Sequence, residues 1–186
     1  TSAIDKMVGI LGLRSAPHAN SGSIPPDQRP VVFIGPYEHH SNELPWRESI
    51  ADVVTIPEDR DGHVDLDTLR TELVEHADRP LRIGAFSAAS NVTGILTDTR
   101  AIARVLHEHG ALSFWDFAAA APYIDIDMNP ADDPFGYLDA VFLSPHKSVG
   151  GPGPPGVLAA RRELFGNPVP VVVGGGTVSY VNETEH

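Results

Sequence analysis

The sequence contains no cysteine, so it has no disulfide framework, no thiolate metal site and no thiol nucleophile. It also lacks a segment apolar enough to span a bilayer, and it does not begin with a basic and then apolar secretion signal. Positive charge is scarce, because 13 Lys and Arg stand against 25 Asp and Glu, for a formal net charge of −12. We therefore expect a cytoplasmic protein with no nucleic-acid partner and no membrane partner.

The length and amino-acid composition of the chain are typical of one globular domain. A chain of 186 residues that is 41% hydrophobic and 20% charged can bury a core without disulfides. Short apolar runs alternate along it with stretches of helical periodicity. This alternation predicts an α/β fold, a three-layer sandwich with a mainly parallel sheet and helices on both faces.

The apolar runs and helix signals give approximate bounds for each element. Strands are expected at residues 31–34, 52–56, 81–86, 111–115, 140–143 and 156–160. Helices are expected at residues 4–11, 42–50, from the cap Asp65 onward, and 98–109. Pro45 should confine the second helix to its early turns or break it. Residues 15–30, rich in Ser, Pro and Asn, should form a loop.

Polar residues of different chemistry follow the carboxyl ends of four different predicted strands. They are His39, Asn91, Asp116 and Lys147. Because parallel strands end at one edge of a sheet, these side chains should converge there on a ligand site. The lysine is one of only two in the chain, the other being Lys6. Unlike Arg, Lys can lose its proton and attack a carbonyl to form a Schiff base.

Two further patterns do not point to a site. Residues 151–156 satisfy G-x-G-x-x-G, but three prolines remove N–H donors and an apolar strand follows, which predicts a rigid turn. His107 and His109 are two residues apart and so lie on different helix faces, while the adjacent His39 and His40 diverge in an extended chain. We expect no metal site.

Five separated segments, in order, resemble motifs of the class V aminotransferases, which include the cysteine desulfurases and have pyridoxal-phosphate fold type I. EHHSNELPW at 38–46 looks like E-H-H-x-N-x-x-P-W, and SNVTG at 90–94 looks like S-N-x-x-G. DFAA at 116–119 stands at the place of D-x-A-Q, and SPHK at 144–147 looks like S-x-H-K. GGG at 174–176 resembles the family's glycine-rich stretch near the active-site mouth.

The resemblance implies pyridoxal 5'-phosphate (PLP) as cofactor and assigns roles to the converging residues. Lys147 would hold PLP as a Schiff base, Asp116 would pair with the pyridine nitrogen, and His39 would stack on the ring. These three are the expected catalytic residues. Asn91 would hydrogen-bond the ring oxygen, and Ala118 belongs to the same cofactor site.

The phosphate would be bound by Ser144 and His146, joined by Thr1 or Ser2 at the N-terminus of the first helix. Free N–H groups and the helix dipole favour an anion at such a position. Ala119 departs from the family pattern, because many relatives have Gln there. One contact to the cofactor's ring oxygen is therefore expected to be missing.

The resemblance further implies that residues 1–186 are a PLP-binding large domain, truncated at both ends and without the small C-terminal domain. The full-length protein would be a homodimer acting on an amino acid, and the chain alone is expected to be inactive. Two other readings stay open: a non-catalytic scaffold or interaction protein that keeps the fold, and a doubly wound nucleotide-binding domain.

Overall fold

The structure is a computed structural model, which describes residues 1–14, 24–151, 153–173, 180 and 182–184. Across these residues six strands form a single sheet. All six predicted strands are present, and no bound differs from its prediction by more than one residue. They are β1 (Val31–Ile34), β2 (Asp52–Thr55), β3 (Arg82–Ser87), β4 (Leu112–Asp116), β5 (Ala140–Leu143) and β6 (Val157–Ala160).

The sheet has the strand order β2-β1-β3-β4-β5-β6. The first five strands are parallel to their neighbours, and β6 runs antiparallel to β5 at one edge. The carboxyl ends of β1 to β5 therefore lie along one edge of the sheet. The predicted α/β class with a mainly parallel sheet is confirmed.

Four α-helices cover the sheet in the described ranges: α1 (Ser2–Ile10), α2 (His40–Arg47), α3 (Leu66–Glu75) and α4 (Thr99–Glu108). Asp65 and Asp98 cap α3 and α4 through their side chains, as their position before each apolar pattern indicates. Each of these helices is too short or too polar to cross a membrane.

The helices form two layers, one on each face of the sheet, and each layer buries its own apolar cluster. α1 and α2 pack on the face that presents the alternate residues Val32, Ile34 and Phe114. α3 and α4 pack on the opposite face, against Phe33, Phe86 and Trp115. This arrangement confirms the predicted three-layer sandwich.

The second helix differs from its prediction. It begins two residues earlier, at His40, and continues through Pro45. The Glu48 N–H bonds the Leu44 carbonyl at 2.9 Å, so helical hydrogen bonding resumes after the proline. Trp46 is fully buried and its ring lies 6.1 Å from that of Phe114, a contact that holds this turn against the sheet.

The predicted loop at residues 15–30 falls partly outside the described residues. Residues 15–23 are in that undescribed part of the chain. In the remainder, a short 3₁₀-helix spans Pro26–Gln28 immediately before β1. This turn supplies local order within a stretch predicted to be irregular.

Candidate functional site

A cavity of about 460 Å³ opens at the carboxyl edge of the sheet. It lies between the N-termini of α1 and α2 and the ends of β3, β4 and β5. All nine site residues predicted from the sequence line it: Thr1, Ser2, His39, Asn91, Asp116, Ala118, Ser144, His146 and Lys147. The structure thus brings together side chains that are up to 146 positions apart in the chain.

Asp116 is the last residue of β4 and its side chain is buried at the base of the cavity. One carboxyl oxygen accepts the Ala118 N–H at 2.8 Å, its only hydrogen bond within the described part of the chain. Burial raises the pKa of Asp116, against the opposing effects of the Ala118 N–H, Lys147 and His39. The second oxygen is therefore free to pair with a ligand group.

Lys147 ends the 3₁₀ turn Pro145–Lys147 that follows β5. Its backbone N–H bonds the Ser144 carbonyl at 2.9 Å, and the exposed side chain borders the cavity without an ion pair to any described residue. The turn requires glycine nearby, because a Cβ at Gly151 would lie 2.5 Å from the Pro145 carbonyl oxygen. A tight backbone thus presents the amine.

His39 is the N-cap of α2. Its Nδ1 atom accepts the Ser41 N–H at 3.1 Å, so a neutral ring carries its proton on Nε2. The hydroxyl oxygens of Ser41 and Thr1 are 2.7 Å apart, and either can be the donor. This contact joins the N-termini of α1 and α2 beside the cavity, where backbone N–H groups and helix dipoles favour an anion.

Asn91 lies in a tight loop after β3 that is organised by its neighbour Ser90. The Ser90 hydroxyl accepts the N–H groups of Val92 at 3.3 Å and Thr93 at 3.2 Å, and the Ser90 carbonyl accepts the Gly94 N–H at 3.0 Å. Gly94 has φ +74°, a left-handed conformation that suits glycine. The loop therefore presents Asn91 to the cavity on a defined backbone.

Three residues at or beside the cavity have no role predicted from the sequence: Glu38, Ser41 and Ser87. Ser41 and Ser87 line the cavity, and Glu38 accepts hydrogen bonds from the backbone and side chain of Ser87. Two signals were present: Glu38 directly precedes the predicted histidine, and Ser87 directly follows a predicted strand. Neither identifies the other as its partner, because they are 49 positions apart.

Of the patterns set aside in the sequence, only His39 and Gly156 are among the described residues that line the cavity. No group of three His, Cys, Asp or Glu side chains that could hold a metal occurs in the described ranges. His107 instead contacts the Phe135 carbonyl and Asp139, and His109 contacts the Val105 carbonyl. The G-x-G-x-x-G segment precedes the antiparallel strand β6 rather than a helix. The triple glycine at 174–176 lies outside the described residues.

The chemistry of the cavity fits PLP. A buried carboxylate with one free oxygen suits a protonated ring nitrogen, and an unpaired amine suits an aldehyde. Hydroxyl groups, an imidazole and a helix N-terminus suit a phosphate, and they come from Thr1, Ser2, Ser144 and His146.

Fold and cavity together define an α/β protein with a polar cavity at the carboxyl edge of a mostly parallel sheet. The family model Aminotransferase class-V matches residues 17–186, so the chain belongs to the class V aminotransferase family. The resemblance seen in the sequence is thereby confirmed.

Relatives of this family share about a third of their residues with the chain over the matched region. The chain is 33% identical over 156 residues to a protein from Staphylococcus epidermidis named probable cysteine desulfurase, covering 82% of this chain and 35% of that protein. It is 30% identical over 154 residues to a probable cysteine desulfurase from Halalkalibacterium halodurans, covering 81% and 36%. The chain thus spans about a third of the length of these relatives.

Solved structures show the same fold. A cysteine desulfurase from Thermococcus onnurineus superposes with a TM-score of 0.70 at 23% identity, over 100% of this chain and 42% of that one. A cysteine desulfurase from Escherichia coli superposes with a TM-score of 0.67 at 23% identity, over 97% and 42%. At this identity the likeness establishes the fold alone.

Proposed function

We propose that the protein is a PLP-dependent enzyme that acts on an amino acid, with Lys147 as the residue that forms a Schiff base with the cofactor. The observation that carries this proposal is that Lys147, Asp116 and His39 line one cavity at the carboxyl edge of the sheet. Membership of the class V aminotransferase family supports it.

When bound, PLP supplies a protonated pyridine ring that accepts electrons from the α-carbon of an amino acid. Asp116 would hold that proton on the ring nitrogen through its free carboxyl oxygen. Because the carboxyl is buried, its interaction with a positive charge is stronger than it would be in water. His39 would lie against the ring and Asn91 would donate to the ring oxygen, with Ala118 as a small neighbour.

The phosphate would be held where α1 begins. Thr1 and Ser2 offer hydroxyls and backbone N–H groups there, and Ser144 and His146 approach from the end of β5. These groups would position the cofactor, and the amine of Lys147 would be held beside it by the turn at Gly151. Lys147 Nζ is then the group of this chain placed to take up a proton from the substrate.

We also propose that residues 1–186 correspond to the PLP-binding large domain of a longer, cytoplasmic, homodimeric enzyme. That the enzyme is longer is supported by the coverage, because the chain spans only 35–42% of the relatives and structures described above. Those relatives are named cysteine desulfurases, which favours cysteine as the substrate over other amino acids.

An absorbance titration of the full-length protein with PLP tests the proposed function. A visible band that grows with added PLP, and that borohydride abolishes by fixing the cofactor to the protein, is the expected result. A protein that gives no such band while its circular dichroism shows a folded α/β domain is a scaffold that keeps only the fold. Stoichiometric nucleotide binding without the band would instead support a nucleotide-binding domain.

A further inference from the structure

Glu38 lies one residue before His39, between β1 and α2, and its carboxyl group accepts four hydrogen bonds. Oε1 accepts the N–H of Ser87 at 2.9 Å and the N–H of Gly35 at 3.3 Å. Oε2 accepts the Ser87 hydroxyl at 2.5 Å and the Asn42 amide at 2.8 Å. One side chain thus joins the end of β1, the end of β3 and the first turn of α2.

The helix side of this junction is anchored in the core. Asn42 is 1% exposed, and its Nδ2 atom donates both to Glu38 and to the Ala85 carbonyl of β3 at 3.2 Å. Two acceptors on the same nitrogen fix the orientation of the amide. The start of α2, and with it the capping residue His39, is therefore held against β3 through Glu38 and Asn42.

The sheet side of the junction leads to Asp116. Ser87 is the register partner of Asp116, and the Ala88 N–H bonds the Asp116 carbonyl at 2.9 Å. Glu38 therefore links the backbone that carries His39 to the backbone that carries Asp116. Both residues line the cavity, and the proposed function requires both.

A carboxylate at this position is costly. Burial raises the pKa of Glu38 and the nearby Asp116 raises it further, while the hydrogen bonds from Ser87 and Asn42 lower it. An amide would avoid the charge, but it has only one acceptor oxygen and would turn an N–H₂ group toward either Asn42 or the backbone N–H groups. Four donors from two sides require both oxygens of a carboxylate.

We propose that Glu38 is a positioning residue that fixes His39 relative to Asp116 in the cofactor cavity. The proposal rests on the proposed function, because the positioned histidine is the residue expected to lie against PLP. Glu38 is not among the residues that line the cavity, and it would act through His39.

A double-mutant cycle on PLP affinity tests whether Glu38 acts through His39. His39→Asn removes the imidazole ring but keeps a residue that caps helices well, so it separates the contribution of the ring from that of capping. Glu38→Gln should raise the Kd for PLP about tenfold in the native background, the effect of losing one hydrogen bond to a charged group, and less than about twofold in the His39→Asn background. Glu75→Gln, an exposed glutamate on α3, is the matched control and should change nothing.

Equal losses of affinity in both backgrounds, or no loss in either, would overturn the proposal. If Glu38→Gln does not fold, Ser87→Ala replaces it in the cycle. That change removes only the hydroxyl bond to Glu38, and we expect a Kd about threefold higher that again depends on His39.

A second readout needs no cofactor, so it separates this proposal from the proposed function. In protein with ¹⁵N-labelled histidine, the His39 ring should show the Nε2–H tautomer, because Nδ1 accepts the Ser41 N–H. Glu38→Gln should shift the ring toward a mixture of tautomers, and Glu75→Gln should not. If the protein binds no PLP, the proposed function fails, and this spectrum alone then decides whether Glu38 positions His39. An unchanged His39 signal in folded Glu38→Gln protein overturns the role of Glu38.

Discussion

Ser87 and Asp116 are register partners and the final residues of the adjacent parallel strands β3 and β4. Ser87 hydrogen-bonds the half-buried carboxyl of Glu38, and Asp116 is itself a buried carboxyl. Two acids with raised pKa values therefore lie at neighbouring strand ends, on the side of the sheet where the cavity opens. Neighbouring acids whose pKa values are raised by desolvation are a feature of sites that bind or transfer protons and cations.

The two lysines of the chain give a direct test of the attachment point. Lys147→Ala should abolish the visible PLP band and the borohydride-stable label, because no other lysine is among the described residues that line the cavity. Lys6→Ala, on α1 and outside the cavity lining, is the matched control and should keep both signals. Peptide mapping of the reduced protein provides the measurement, and a label on Lys6 would contradict the assignment.

Asp116→Asn should separate stability from function. The amide oxygen can still accept the Ala118 N–H, but a neutral group cannot hold a proton on the ring nitrogen of PLP. Turnover of the full-length enzyme should fall by a factor of roughly a hundred or more, as when a preorganised electrostatic contact is removed. Near-normal turnover in this variant would show that the proposed role of Asp116 is wrong.

The same substitution should raise stability in the absence of cofactor, with a definite pH dependence. The pKa of Asp116 is higher in the folded than in the unfolded state. The native protein therefore loses stability as pH rises from the unfolded-state pKa to the folded-state pKa. The neutral amide avoids this loss. The difference in free energy of unfolding should be near zero below about pH 4 and should favour Asp116→Asn at neutral pH. Urea titrations over this range provide the measurement, and a difference of opposite sign would contradict it.

The sequence was sufficient for the strands and for the convergence of His39, Asn91, Asp116 and Lys147. Continuous apolar runs identify buried strands, and parallel topology places residues that follow them at one edge. It was not sufficient for the strand order or for the direction of β6, because both depend on pairing between distant segments. The role of Glu38 could not be predicted for the same reason, since it depends on a hydrogen bond to Ser87, which is distant in the sequence.

Gly151→Ala should disturb the cofactor site through the backbone. Its new Cβ would lie 2.5 Å from the Pro145 carbonyl oxygen, so the turn that presents Lys147 must shift. PLP affinity should fall roughly tenfold, the effect of misplacing one charged contact. Gly166→Ala is the control, because among the described residues no heavy atom beyond its chain neighbours lies within 4 Å of the position of its Cβ. Equal affinities of the two variants would show that the turn tolerates the change.

At the opposite end of the strands, His107 and Asp139 form a buried pair that should affect stability without affecting the site. Both side chains are 5% exposed, with His107 Nε2 2.9 Å from Asp139 Oδ2, which also accepts the Ser113 N–H at 2.8 Å. Asp139→Ala leaves both partners buried without an acceptor, and should lower the free energy of unfolding by about 3 kcal/mol.

The matched control is Asp132→Ala, which removes an exposed carboxylate 3.4 Å from Arg100. Its effect should be within about 0.5 kcal/mol, as for other surface ion pairs. Because Asp139 precedes β5 whereas Lys147 follows it, the Kd for PLP should be unchanged in Asp139→Ala protein that remains folded. Chemical denaturation and PLP titration of the two variants side by side provide the measurement. A loss of PLP affinity as large as that of Gly151→Ala would mean that the two ends of the sheet are coupled.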